Sequence, residues 1–203
     1  MKNDRNTWAP HVILVDADYL DGLAFDLTVN FERMLERRLP KADLCHWIDC
    51  VALDGGQERG DNTVQVHFLH SKEKQCFDFF RLTRFHDENH KLAFEADLDN
   101  MPFSDPVGSF TLFTFPVEDI VSRQEFFLQS FTMLSQAQGI ENLMVVGDML
   151  EYGDQLRRLC AQPHEKHITL YTMEPCTGRG FDQQILAYSV MSALGIRGEE
   201  LNP

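Results

Sequence analysis

The stretch HVILVD, residues 11–16, decides the fold: four consecutive aliphatic side chains close on an acid. A run this short, with β-branched residues and no polar face, reads as a strand buried on both sides, as in a parallel sheet. Working outward, Leu20, Leu23, Ala24, Leu27, Phe31, Met34 and Leu35 recur at three- and four-residue steps, which predicts an amphipathic helix ended by Pro40 after the basic turn ERRL. Strand then helix is the opening of an α/β fold.

The same rhythm returns from residue 117. EDIVSRQEFFLQSFTMLSQAQ carries Ile120, Val121, Phe127, Leu128, Phe131 and Leu134 on one broad face and stops at Gly139. A second buried strand follows at 143–147 in ENLMVVGD, ending at Asp148. A helix marked by Leu156, Leu159 and Cys160 closes at Pro163, HITLYTM (167–173) predicts a third strand, and FDQQILAYSVMSALGI (181–196) the last helix. The segment 44–115 differs, with LCHWIDCVAL (44–53), TVQVHFLH (63–70), CFDFFRL (76–82), KLAFEADL (91–98) and SFTLFTF (109–115) as short β-prone runs between turns. The alternation in TVQVHFLH and SFTLFTF indicates one wetter face, consistent with antiparallel additions or an insertion beside the parallel sheet. The expectation is one α/β domain over residues 1–203, a three-layer Rossmann-like arrangement with a mainly parallel sheet and extra strands from 44–115.

Charge narrows the partners. Thirty-two acidic residues against eighteen basic ones give −14, which disfavours a general nucleic-acid surface without excluding nucleic acid; a protein partner or a small phosphorylated substrate are the other partners considered. No apolar run approaches the roughly 18 residues of a membrane span, and MKNDRNTWAP has no apolar stretch for a secretory signal. Five cysteines, odd in number and unevenly spaced, suit a reducing cytoplasm rather than a disulfide scaffold. CHWIDC (45–50) lacks a second pair to complete a zinc set, and His86 and His90 in HDENH stand four apart without an apolar stripe or an HExxH frame, so HDENH reads as a solvated loop.

Ligands of open parallel sheets bind outside the carboxyl ends of the strands, where the strand order reverses. Asp16 and Asp148 each end an apolar strand, and Asp18 lies two residues beyond Asp16. Crowded carboxylates repel unless a cation intervenes, so Asp16, Asp18 and Asp148 form a candidate site for Mg2+ or Mn2+. Each acid also stands where helices begin, and a helix cap accounts for any one of them alone.

Two family resemblances attach to these residues. HVILVDADYLDGLAF, and later IENLMVVGDMLEYGDQLRRLCAQ leading to KHITLYTM, resemble the opening and closing motifs of PIN-like nucleases of the NYN branch. That resemblance implies a divalent-metal-dependent phosphodiesterase or nuclease, degenerate or active, with Asp16, Asp18 and Asp148 catalytic and metal-binding and Glu151 a further metal ligand. The family's Lys-Gly-Val-Asp-type helix start precedes the Gly-Asp strand, whereas Arg179-Gly180-Phe181-Asp182 comes after it here. VILVDADYL, TLFTF and VVGDMLEYGD are also similar to haloacid-dehalogenase-like phosphatases, which implies Asp16 as nucleophile, Asp18 as general acid, and Asp148 with Asp154 holding magnesium; no lysine occurs between 92 and 165 to complete that set. The whole chain is in addition similar to an uncharacterised family of bacterial proteins of about this length. A non-enzymatic interaction module is the third reading, its sixteen phenylalanines serving as core or as interface anchors.

Overall fold

The computed structural model describes residues 8–201 except Glu88 and Asp119, so the start of MKNDRNTWAP and the centre of HDENH lie outside the described residues. In chain order the elements are β1 (His11–Asp16), α1 (Ala17–Leu35), β2 (Ala42–Asp43), α2 (Leu44–Asp54), β3 (Asn62–His70), β4 (Cys76–Phe77), β5 (Phe80–Arg81) and β6 (Leu92–Ala93). They continue with a wide helical turn (Phe94–Leu98), β7 (Met101–Ser104), β8 (Gly108–Pro116), α3 (Arg123–Gln136), β9 (Asn142–Val146), α4 (Gly153–Cys160), β10 (His167–Thr172), β11 (Asp182–Ile185), α5 (Leu186–Ala193) and a final short turn (Gly198–Leu201).

Seven strands form the main sheet in the order β11-β10-β9-β1-β3-β8-β7. All pairings are parallel except the edge pair β7–β8. β1 sits in the centre, and its burial on both sides explains the unbroken apolar run: Val12 and Leu14 face one layer of core, Ile13 and Val15 the other. Helices α1, α2 and α5 cover the first face together with the insertion, whose Phe77, Phe80, Leu92 and Phe94 join that core. α3 and α4 cover the second face through Phe127, Phe131, Leu134, Leu156 and Cys160. No helix among the described residues is long and apolar enough to cross a membrane, and all five cysteines are free thiols.

Consecutive parallel strands are neighbours everywhere but between β8 and β9, which are three strand spacings apart. That is about 14 Å at strand spacings near 4.8 Å. A single helix about 10 Å across cannot roof such a span. α3 packs against β3 and shares its core with β1 and β9, and the second face of β3 and β8 is left partly open beside it.

Four segments differ from the sequence expectation, one of them KLAFEADL (91–98), which is a strand only at Leu92–Ala93 before the wide helical turn Phe94–Leu98. Residues 44–54 form a helix, not a strand: Asp43 accepts the His46 amide as its cap, and Leu44, Cys45, Trp47, Ile48, Val51 and Ala52 are buried at helical spacing. β3 and β8 are parallel interior strands, and the wetter face seen in their alternation is the open second face; only β7 is an antiparallel addition. The last segment opens with β11 before α5 begins at Leu186. Eight of the sixteen phenylalanines are buried in the core, and Phe25, Phe85 and Phe115 are the exposed ones.

Candidate functional site

Asp16 ends β1 and caps α1, accepting the Tyr19 amide on Oδ1 at 3.1 Å. Val15 is in register with Val146, so Asp16 and the Gly147-Asp148 step lie side by side where the strand order reverses. Between them stands Tyr152, fully buried, whose hydroxyl donates to Asp16 Oδ2 at 2.7 Å and accepts the Asp148 amide at 2.9 Å. Gly147 makes room for it: a Cβ there would lie 3.0 Å from that hydroxyl oxygen and 2.9 Å from the Phe127 ring. Arg123, the first residue of α3, donates from Nη1 to Asp16 Oδ1 at 2.8 Å and from Nη2 to Glu151 Oε2 at 2.7 Å.

Burial pushes the Asp16 carboxyl above the ordinary carboxylate value, and Arg123, Tyr152 and the Tyr19 amide pull against that rise without cancelling it. The Tyr152 phenol is driven up by burial and by the Asp16 charge it faces. Tyr19 is pushed up to about 12 by burial and by Asp148 and Asp16. At neutral pH both phenols are donors, not phenolates.

The other acids are engaged elsewhere. Both oxygens of Asp18 are taken by Ser71, from its amide at 2.8 Å and its hydroxyl at 2.5 Å. Asp21 receives Lys74 and the amides of Asp78 and Phe79, so the acidic start of α1 ties down the segment that leaves β3. Asp148 Oδ1 accepts the amides of Leu150 and Glu151, ordering the turn before α4. Asp154 is exposed and pairs with Arg157. Magnesium needs near-octahedral oxygen ligands with room for water. Here the Arg123 guanidinium, the Tyr152 hydroxyl and the Tyr19 amide occupy the carboxylate of Asp16, and Asp16, Asp18 and Asp148 do not assemble into a ligand cluster among the described residues. As arranged, these residues do not fit Mg2+ or Mn2+.

A second site lies on the open face of β3 and β8. A cavity of about 700 Å³ is walled by Trp8, Phe113, Phe115 and Phe126, floored by Leu14 and Leu69, and edged by polar Gln65, Asp99, Gln129 and Ser130. His67 lies within it, 6% exposed, with its ring centroid 5.8 Å from Trp8, 5.5 Å from Phe113 and 5.2 Å from Phe115. Burial pushes its pKa down to about 4, so the imidazole is neutral at physiological pH. Neither ring nitrogen has a hydrogen-bond partner among the described residues. The two nitrogens are not among the buried polar atoms left without a partner, so they open onto the cavity and are free to meet whatever occupies it.

The sequence singles out Asp16 and Asp148, which the structure places side by side, but not Arg123, Tyr152 or His67. Arg123 carried one local signal, since a cation in the first turn of a helix opposes the helix dipole and implies an acid partner. No curated protein and no solved structure matches the chain. A family model covers residues 5–201, and the chain belongs to the family of unknown function DUF6621.

Proposed function

We propose that this chain is a binding protein whose ligand is a small planar heteroaromatic molecule held in the cavity between β3, β8 and α3. The observation that carries this reading is His67, a neutral imidazole among aromatic rings whose nitrogens make no hydrogen bond to another described residue and open onto the cavity. A ring system with one hydrogen-bonding edge would stack on Trp8 and the phenylalanines and meet His67 with that edge. The volume of about 700 Å³ falls within the range of small-molecule sites, apolar walls with a few polar groups being their usual lining. Fragment crystallography or protein-observed NMR with planar heteroaromatics tests it. Fragments are expected to gather beside His67, and His67→Phe is expected to lose them. Fragments that avoid the cavity at millimolar concentration, or bind the variant equally well, would overturn the reading.

A second reading, phosphodiester hydrolysis in a PIN-like, Rossmann-like domain, has specific support. The six parallel strands follow the doubly wound order 3-2-1-4-5-6, and Asp16 and Asp148 flank its reversal point. It requires Arg123 to leave Asp16. Magnesium raising the melting temperature of Arg123→Ala would favour it; no rise would remove it.

A further inference from the structure

Two imidazoles and a carboxylate that belong to neither site described above converge on the insertion. Among the described residues, His86, His90 and Asp97 are the one set of three potential ligands whose donor atoms all lie within 4.8 Å of one another. His90 Nε2 is 2.9 Å from Asp97 Oδ2, and His86 Nε2 is 3.8 Å from Asp97 Oδ1. The two rings are parallel within 11°, their centroids 3.9 Å apart, so both present Nε2 to the same carboxylate.

Backbone hydrogen bonds, rather than the side chains themselves, set these positions. The amides of Phe85 and His86 both donate to the Leu82 carbonyl, and the His90 amide donates to Asp87, whose carboxylate takes the Asn89 amide. Two successive turns thereby bring residues 86 and 90 to one side. Asp97 stands in the wide turn Phe94–Leu98 and is anchored by the Ala93 amide at 2.7 Å.

We propose that His86, His90 and Asp97 bind a divalent transition-metal ion of the zinc type. Tetrahedral zinc with bonds of about 2.0–2.1 Å holds its ligand atoms roughly 3.3 Å apart. The two imidazoles approach opposite oxygens of Asp97 at 2.9 and 3.8 Å, and one donor atom from each of the three residues lies within 4.8 Å of the others, so a small inward shift reaches that spacing. Two imidazole nitrogens and one carboxylate are a donor set for zinc or its transition-metal neighbours, not for magnesium or calcium, which take oxygen. A histidine–aspartate hydrogen bond alone accounts for His90, yet leaves His86 beyond hydrogen-bond distance and stacked on its twin. The side chains are 29%, 37% and 13% exposed, so an ion can enter and water can complete its shell. Bound there, it would clamp the loop between β5 and β6 to the turn that follows β6.

The test is titration of the chelator-treated full chain at neutral pH with Zn2+ by calorimetry and with Co2+ by visible absorption. One equivalent is expected, with Co2+ giving ligand-field bands. His86→Ala and His90→Ala should each lose more than the roughly tenfold affinity that removing an outer partner of a metal site costs. His46→Ala, which removes the imidazole beside Cys50 and Ser192, should bind as the wild type does. Absence of binding by the wild type, or unchanged binding by both His86 and His90 variants, would overturn the proposal.

Discussion

Arg123 is the residue on which the strand-end network turns. It is 26% exposed while its partner Asp16 is fully buried, so its removal strands a carboxylate with no counter-charge in the interior. Arg123→Ala is expected to cost about 2–4 kcal/mol in urea denaturation, somewhat below the figure for a pair buried on both sides. The pH dependence has a definite sign. The folded Asp16 carboxyl already lies above its ordinary value, and losing the guanidinium raises it further. The folded variant then holds a proton that the unfolded chain has released, so its stability falls as pH rises through that window and recovers as pH drops below it. The gap between wild type and variant should therefore narrow on going from neutral to mildly acidic pH; a constant gap would mean that Asp16 is not the group left unpaired. Asp16 was legible in the sequence because an acid closing an apolar run stands out. Its partners were not, since Arg123 and Tyr152 lie 107 and 136 residues away and no local pattern encodes that pairing.

Elements were legible where their period was unambiguous. β1, β9 and β10 are continuous apolar runs, and α1 carries a long apolar stripe. The segment 44–54 misleads because it is apolar on most sides, being packed between α5 and the insertion, and an apolar run of that length fits either period. Asp43, a cap immediately before it, is the signal that settles it as a helix. Two glycines give an element-scale test with opposite signs. Gly180 precedes β11 with φ +79°, and a Cβ there would meet the Cys160 carbonyl oxygen at 2.0 Å. Gly180→Ala should destabilise the protein by about 2–4 kcal/mol, the sum of a left-handed backbone and a backbone clash. Gly22 sits exposed in α1 with nothing within 4 Å of its would-be Cβ, so Gly22→Ala should stabilise by roughly 0.5–1 kcal/mol. Thermal melts of the two variants moving in the same direction would contradict this account.

At the scale of the whole molecule, the α/β class and the central place of HVILVD followed from pattern alone, whereas the direction of β3 and β8 did not. Alternation reports that one face is wetter; it does not report whether the cause is solvent beside an antiparallel edge or an under-roofed parallel interior. The net charge of −14 predicts self-repulsion in the compact state. Raising sodium chloride from tens to hundreds of millimolar should raise the melting temperature, and a flat response would mean that local ion pairs already offset the excess.

The distance between β8 and β9 has a consequence for how this family can vary. The same reversal of winding that puts Asp16 beside Asp148 leaves a single helix to span three strand spacings, so the open space over β3 and β8 belongs to the strand order and not to any one side chain. Residues 65, 67, 113 and 115 point into that space from strands whose opposite faces hold the main core. They can therefore change in size and polarity while the fold stands, and relatives sharing this topology would inherit the hollow and differ in what it selects.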